Sequence, residues 1–479
     1  MKKKRKFMCM CCEKYVMEEH TPGSLAVCPN CGWIDDEAQF NDFLLSGGAN
    51  RLCLKEYREN YLNKLESENP ELRPHSELCT HFGRCGGCSL QNLRYEAQIK
   101  HKKEKILNLL GKYINADDAG SLNTIFEGII SAPDEFGYRN KMEFSFGDEK
   151  KGGELTLGFH RKGSFHDILD LQECLIVNAD CVKIMRATVG YARSYGCTHE
   201  NKTTHEGYLR YLVLRTGNCD GGMIMVNLVT SSEFSCSNEK MKADEDDFLS
   251  GYVSMLNKME LKMKIVSIMH TVSDSISDAV KCDKIDTLYG SPYIMNELCG
   301  LKFKVSPFSF FQTNTQGAEL LYGKVKEYAG DVKERVIYDL YSGTGTIAQI
   351  ISSVAKKTVG VEIVAEAVEA ARENAAMNGL NNCEFIVGDV FKTLDSITVK
   401  PDIIILDPPR EGINPKALPH IISYGVERIV YVSCKPESLA RDLETFTENG
   451  YKAAKMCCVD LFPQTEHVET VVLMSRVKE

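Results

Sequence analysis

Cys434 stands where a strand gives way to a turn. The stretch RIVYVSCKPESLARDL (428–443) opens on an apolar, β-branched and aromatic run at 429–432, which reads as a short buried strand. Ser433, Cys434, Lys435 and Pro436 end it, and a helix-like run, ESLARDLETF, follows. In parallel α/β sheets that edge is where ligands bind. A thiol there is either a nucleophile or a small apolar filler, so its neighbours at the same edge decide between the two.

The segment ILDPPREG (405–412) ends another apolar run and brings Asp407 and the rigid Pro408-Pro409 pair to that edge. An acid-Pro-Pro element followed by an aromatic residue suits methylation of an exocyclic amine, but Arg410 follows here. Upstream, VIYDLYSGTGTIAQI (336–350) reads as strand, glycine loop and helix. Gly343, Gly345 and Ala348 fit G-x-G-x-x-A loosely, a pattern shared with dinucleotide sites. Asp339 ends the strand before the loop, Glu362 ends the next and Asp389 the one after. Acids at successive strand ends repel a pyrophosphate and suit a positively charged nucleoside such as S-adenosylmethionine. Near the end of the chain, LFPQTEHVETVVLMS (461–475) puts Glu469, close to His467, at the start of the last strand. A thiol and a separate carboxylate base are what substitution at a pyrimidine C5 requires: the thiolate adds at C6, C5 becomes nucleophilic, and the base removes its proton.

Twenty cysteines are many for 479 residues, and in a cytosolic chain they favour metal, cluster or catalytic roles over disulfides. Cys9-x2-Cys12 and Cys28-x2-Cys31, fifteen residues apart, offer four thiolates on two knuckles, the signature of a zinc ribbon, with Cys11 outside the set. Cys79-x5-Cys85-x2-Cys88 has cluster-ligand character and needs a distant fourth ligand; spacing alone leaves zinc open. Cys181, Cys197, Cys219 and Cys236 follow no pattern and read as incidental buried thiols.

These groups must be held by recognisable elements. Residues 1–62 are a cysteine-rich, ribbon-like domain, and 63–78 a charged, proline-containing linker. Residues 79–300 carry the second cysteine set, an amphipathic helix at 90–113 with a basic face, and short strands with glycine turns that read as an antiparallel β domain. The basic face suits either solvent or RNA. From 301 to 479 strands and helices alternate, as in a doubly wound α/β sheet of Rossmann-like type. A net charge of −10 weighs against a chain coated in positive charge for polyanion binding. No apolar run approaches the roughly 18 residues of a membrane span, and MKKKRKFMCMCC is too short in apolar residues for a signal peptide. A cytoplasmic monomer is the expectation.

The motifs SPFSFFQTN (306–314), DLYSGTGT (339–346), VGVEI (359–363), DPPREG, IVYVSCKPESLARDL and FPQTEHVE (462–469), in that order, resemble the RNA uracil-5-methyltransferases. The likeness is greatest to the iron–sulfur branch that modifies 23S ribosomal RNA. The resemblance implies S-adenosylmethionine contacts at Gln312, Tyr341, Glu362 and Asp407, a nucleophile at Cys434 and a C5 base at Glu469. It also implies a [4Fe–4S] cluster on Cys79, Cys85, Cys88 and Cys174. The family form Ser-Cys-Asn-Pro, with a Thr two residues on, is altered here to Lys435 and Ser438. FGYRNKMEF (136–144) matches a central-domain element that offers Arg139 and Lys141 to phosphates and Phe136 and Tyr138 to stacked bases. YLRYLVLRTG adds Arg210 and Arg215. A target uracil must come from a loop or be flipped out. The N-terminus resembles a bacterial cysteine-rich domain with a C-P-C-C core, Met10 replacing the proline. It stands where many members carry a small RNA-binding β-barrel. The expected activity is RNA uracil C5 methylation on 23S ribosomal RNA. Transfer RNA is the rival substrate, and a noncatalytic RNA-binding or iron-sensing protein the rival class.

Overall fold

Ile403 and Ile405 face one hydrophobic cluster while Ile404 and Leu406 face another, so this strand is apolar on both sides and must lie inside a sheet covered on both faces. The computed structural model describes residues 7–12, 15–18, 21–114, 125–202, 204–236, 244–275 and 282–477. The basic head at 1–6 lies outside them. The chain divides into two compact units, residues 1–78 with 91–97, and residues 79–90 with 98–479.

The first unit holds a two-stranded ribbon, β1 (Phe7–Met8) and β2 (Tyr15–Met17), then α1 (Glu37–Asn41) and α2 (Leu54–Glu68). Its core is small: Cys9, Cys11, Met17, Cys28 and Trp33. Asp36 caps α1 through the Ala38 and Gln39 amides, and buried Gln39 and Asn50 tie the following loop together.

Helix α3 (Tyr95–Ile114) leads into the second unit. The expected basic face is spent largely within the protein. Lys102 is buried against Asp460, Lys105 reaches Glu437 and Glu466, and Lys112 reaches Glu444. After β3 (Phe126–Ile130) comes a six-stranded sheet in the order β5-β4-β6-β7-β8-β9. Its strands are β4 (Lys141–Asp148), β5 (Leu155–Gly158), β6 (Leu209–Gly217), β7 (Met223–Thr230), β8 (Lys264–Val272) and β9 (Lys284–Gly290). All pairs are antiparallel except β7–β8, which are parallel. Helix α5 (Glu245–Asn257) lies in that crossover, and it packs beside α4 (Ala179–Ser194) on one face of the sheet. Cys197 and Cys236 form a disulfide there, contrary to the incidental thiols expected, because two edge segments far apart in sequence pair across a bridge.

A hairpin, β10 (Ile294–Leu298) and β11 (Leu301–Val305), precedes α6 (Thr315–Ala329) and the large sheet. That sheet runs β14-β13-β12-β15-β16-β18-β17-β3. Its strands are β12 (Val336–Leu340), β13 (Lys357–Glu362), β14 (Cys383–Val387), β15 (Ile403–Leu406), β16 (Arg428–Ser433), β17 (Tyr451–Val459) and β18 (Glu469–Arg476). Its helices are α7 (Thr346–Ser352), α8 (Ala365–Met377), α9 (Val390–Thr393), α10 (Ala417–Ser423) and α11 (Pro436–Glu448). β12 to β16 are parallel, β18 runs antiparallel to β16 and to β17, and β3 closes the edge parallel to β17. The architecture is mixed α/β, with the order reversing between β12 and β15. The carboxyl ends beside that reversal are where a ligand fits.

Candidate active site

The antiparallel register of β16 and β18 ends at the pair Ser433 and Thr470. Cys434 and Glu469 are the next residue on each strand beyond that pair, and the Glu469 carboxyl is a near neighbour of the thiol. The Ser433 hydroxyl accepts the Lys435 amide and donates to the Lys435 carbonyl, which fixes the turn after the thiol. Pro436 then starts α11 at a position where its missing N–H costs nothing.

The 407–413 loop is tied to α11 through Asp442. The Asp442 carboxylate accepts the Ile413 amide at 2.8 Å and the Tyr431 hydroxyl at 2.7 Å, and Arg441 flanks it. Gly412 lies so close that a Cβ would stand 2.6 Å from that carboxylate. Asp407 and Arg410 are thereby set beside the thiol and the glutamate. Burial, then Asp407, push Glu469 up to about 8, while Arg410 draws it down. Burial, then Glu469 and Asp407, push Cys434 up to about 11, again opposed by Arg410.

A second group of atoms lines the ends of β12 and β13. Asp339 is buried: one carboxylate oxygen accepts the Ala348 amide, and the other has no partner. Burial, with Asp407 next, lifts Asp339 to about 8, and burial lifts Asp407 to about 7. The Tyr341 hydroxyl and the Ser342 hydroxyl are also buried without partners. Tyr341 and Gly343 take positive φ, and the Gly343 amide donates to Glu362. Gly345, at φ 70, lets α7 begin against Phe385. Gln312 is buried beside Tyr322, whose hydroxyl burial and the nearby Asp407 raise well above its ordinary value. Asp389 is nearby but spends its carboxylate as the cap of α9, on the Phe391 amide. Orphaned hydroxyl and carboxylate oxygens, set among acids with a glycine approach, fit a ligand that carries hydroxyls and positive charge.

Sequence reasoning missed three contributors. Tyr322 comes from α6 and looks like ordinary core. Asp442 sits among helix charges. Arg410 was noticed for what it replaced, although a cation after an acid-Pro-Pro element was itself a signal.

The thiols of Cys79, Cys85 and Cys174 lie near enough to Cys88 to act on it, though they are not gathered as tightly as the first unit's quartet. Burial comes first in raising Cys88, followed by Cys174, Cys85 and Cys79. The 79–88 loop docks on the Cys174 segment through His81 Nε2, which accepts the Gln172 amide, and through Glu173, which accepts the Thr80 amide. In the first unit the sulfurs of Cys9, Cys12, Cys28 and Cys31 all lie within 4.8 Å of one another, a separation that a single ion can bridge. The Asn30 amide donates to the Cys28 sulfur, and Gly32 takes φ 78 to close that knuckle.

Of the residues expected to meet RNA, Phe136, Arg139 and Lys141 are partly exposed. Tyr138 is buried, its hydroxyl donating to the Pro463 carbonyl. Arg215 is buried against the Pro307 and Ser309 carbonyls, and Arg210 donates to the Ser275 carbonyl and meets Glu200.

The model of the tRNA (uracil-5-)-methyltransferase family matches residues 294–477, and that of the cysteine-rich CPCC family matches 7–69. An uncharacterized RNA methyltransferase of Caldanaerobacter subterraneus subsp. tengcongensis is 47% identical over 83% of this chain and 84% of its own length. Another, of Clostridium tetani, is 47% identical over 83% of each. Among solved structures, the Pyrococcus abyssi tRNA (uracil-54, C5)-methyltransferase in complex with S-adenosyl-L-homocysteine is similar. It has a TM-score of 0.63 and 28% identity, covering 82% of this chain and 86% of that one.

Proposed function

This chain belongs to the tRNA (uracil-5-)-methyltransferase family of S-adenosylmethionine-dependent RNA methyltransferases, and on that premise we propose that it methylates uracil C5 in 23S ribosomal RNA through a Cys434–C6 adduct, with Glu469 as the C5 base. The observation that supports this reading is that the β16–β18 register ends one residue short of Cys434 and Glu469, with Asp407 and Arg410 beside both.

Asp339, Glu362, Asp407, Tyr341, Gly343 and Gln312 would hold S-adenosylmethionine, with Asp389 capping α9 at the same sheet end. Bound there, the cofactor supplies an electrophilic methyl group. The Cys434 thiolate forms a bond to C6 and makes C5 nucleophilic. Once C5 carries the methyl group, Glu469 takes its proton. The electron pair left at C5 re-forms the 5,6 double bond as Cys434 departs as thiolate. Arg410 lowers both reacting groups toward their working forms. Phe136, Arg139 and Lys141 offer a ring and cations to the RNA strand.

Cys79, Cys85, Cys88 and Cys174 would hold a [4Fe–4S] cluster, and Cys9, Cys12, Cys28 and Cys31 a zinc ion. The cysteine quartet of the second unit supports ribosomal RNA as substrate. The archaeal structural relative is named for a transfer RNA site, which favours the second reading, transfer RNA. Mass spectrometry of 5-methyluridine in both RNAs, from cells with and without this chain, separates them. A mark lost from one 23S position supports the first; a mark lost from transfer RNA alone supports the second.

A further inference from the structure

The loop that delivers Glu469 runs from 460 to 468, between β17 and β18. Loops this long usually lie on the surface and move. This one is largely buried: Asp460, Leu461, Gln464 and Thr465 are all under one-tenth exposed. Its backbone groups therefore need partners inside the protein.

They find them on four separate segments. The Leu461 carbonyl accepts from Asn314 at 3.0 Å, and the Phe462 carbonyl from Lys102 at 3.1 Å. The Pro463 carbonyl accepts from Tyr138 at 3.0 Å, and the Gln464 carbonyl accepts the Ser89 and Leu90 amides at 2.9 and 3.0 Å. Gln464 sits at φ 69, a backbone conformation that a side chain of its kind rarely takes. Its amide group explains the choice. Gln98 accepts the Gln464 backbone amide and donates to the Gln464 side chain, both at 2.9 Å, and Gln464 reaches on to the Glu135 carbonyl. Lys102 and Asp460 meet at 2.6 Å with no exposure of either side chain. A buried ion pair of this kind adds little stability over an apolar pair, so its use lies in fixing geometry.

The hold passes on towards the base. The Phe462 carbonyl also accepts the Thr465 hydroxyl, whose oxygen accepts the His467 amide two residues before Glu469. At the other end the hold rests on the cysteine segments. Ser89 and Leu90 follow Cys88 directly, and the Gly137 and Arg139 amides on either side of Tyr138 donate to the Leu175 and Ile176 carbonyls beside Cys174.

We propose that Gln464 and Lys102 are positioning residues for the C5 base, clamping the 460–468 loop to α3, Gln464 through Gln98 and Lys102 through Asp460 and the Phe462 carbonyl. The proposal rests on Glu469 being that base. A misplaced base has a distinct consequence. The thiolate still adds at C6 and C5 is still methylated, but the proton stays and Cys434 cannot leave.

The test uses the full-length protein with unmodified 23S ribosomal RNA and transfer RNA transcripts, radiolabelled, and S-adenosylmethionine. Gln464→Ala and the neutral double variant Lys102→Met with Asp460→Asn are compared with Glu469→Gln. The readouts are kcat, the KM for S-adenosylmethionine and the RNA–protein adduct that survives denaturing electrophoresis. The expected result is a kcat at least tenfold lower, a KM within about twofold of wild type, and an adduct that accumulates as it does in Glu469→Gln and vanishes when Cys434→Ala is added. If Glu469→Gln accumulates adduct while both clamp variants turn over normally, or lose turnover without adduct, the clamp is overturned and the base stands. If Glu469→Gln forms no adduct, the base assignment fails and the clamp falls with it.

Discussion

At the scale of single residues, the site gathers acids whose titration burial moves toward neutral pH. Burial raises Asp339, Asp407 and Glu469 to about 8, 7 and 8, and the neighbouring Asp407 adds to the rise at Asp339 and Glu469. Glu469 takes the C5 proton only when deprotonated, so the rate at which the methylated RNA–protein adduct resolves rises with pH up to about 8. Arg410 is the cation that opposes burial at both Glu469 and Cys434. Arg410→Met should displace this rise to higher pH, and an unmoved profile would remove Arg410 from the electrostatics of the reaction. The same shifts bear on stability. Carboxyls in an unfolded chain titrate near 4. Groups raised on folding bind protons more tightly in the fold, so their contribution is complete below about pH 4 and is lost as pH rises to about 8. Asp339→Asn removes one of the three. Its ligand-free melting temperature at pH 8 should exceed that of wild type, while S-adenosylmethionine binding by calorimetry weakens at least tenfold. A variant that binds normally would mean the orphaned Asp339 oxygen serves no ligand.

At the scale of elements, the active edge depends on close approaches between neighbouring strands, helices and loops. Gly345 begins α7 at φ 70, and a Cβ there would stand 2.4 Å from the Phe385 ring and 2.9 Å from Ala371. Gly345→Ala should therefore cost about 1–3 kcal/mol, as overpacking does, read as a lowered denaturant midpoint with unchanged slope. Unchanged stability would mean that α8 and β14 can shift to make room. Much of this edge was legible beforehand, since strand ends, the glycine loop, DPPREG and the thiol are all local patterns. What was not legible depends on pairing across long separations. Nothing near Phe126–Ile130 says that it pairs with β17, more than 300 residues on. The lysines of α3 looked free for solvent or RNA because their acids, Asp460, Glu437, Glu466 and Glu444, lie far along the chain. Tyr138 looked like a base-stacking ring for the same reason: its acceptor is the Pro463 carbonyl. The Cys197–Cys236 bond, 39 residues apart, carried no spacing signal.

At the scale of the whole molecule, the two units differ in what holds them together. The second has two large hydrophobic clusters on either side of its eight-stranded sheet and a third in the central sheet. The first has one hydrophobic cluster of five buried residues, three of them cysteines. Cores this small seldom hold a chain alone, and metal commonly makes up the difference. Where thiolates bind an ion that the unfolded chain cannot hold, binding free energy becomes folding free energy. Trp33 is the protein's one tryptophan, 1% exposed and packed edge-on to Tyr57 in that core. Its fluorescence therefore reports on the first unit alone. Titrating the full-length protein with a chelator should release about one equivalent of zinc and shift Trp33 emission to the red. The thermal transition of the methyltransferase unit should stay in place. Cys12→Ser should show the red-shifted emission before any chelator is added. Emission that stays blue after the metal has left would mean that the loop packing around Gln39 and Asn50, with Trp33 on Tyr57, holds the ribbon without an ion.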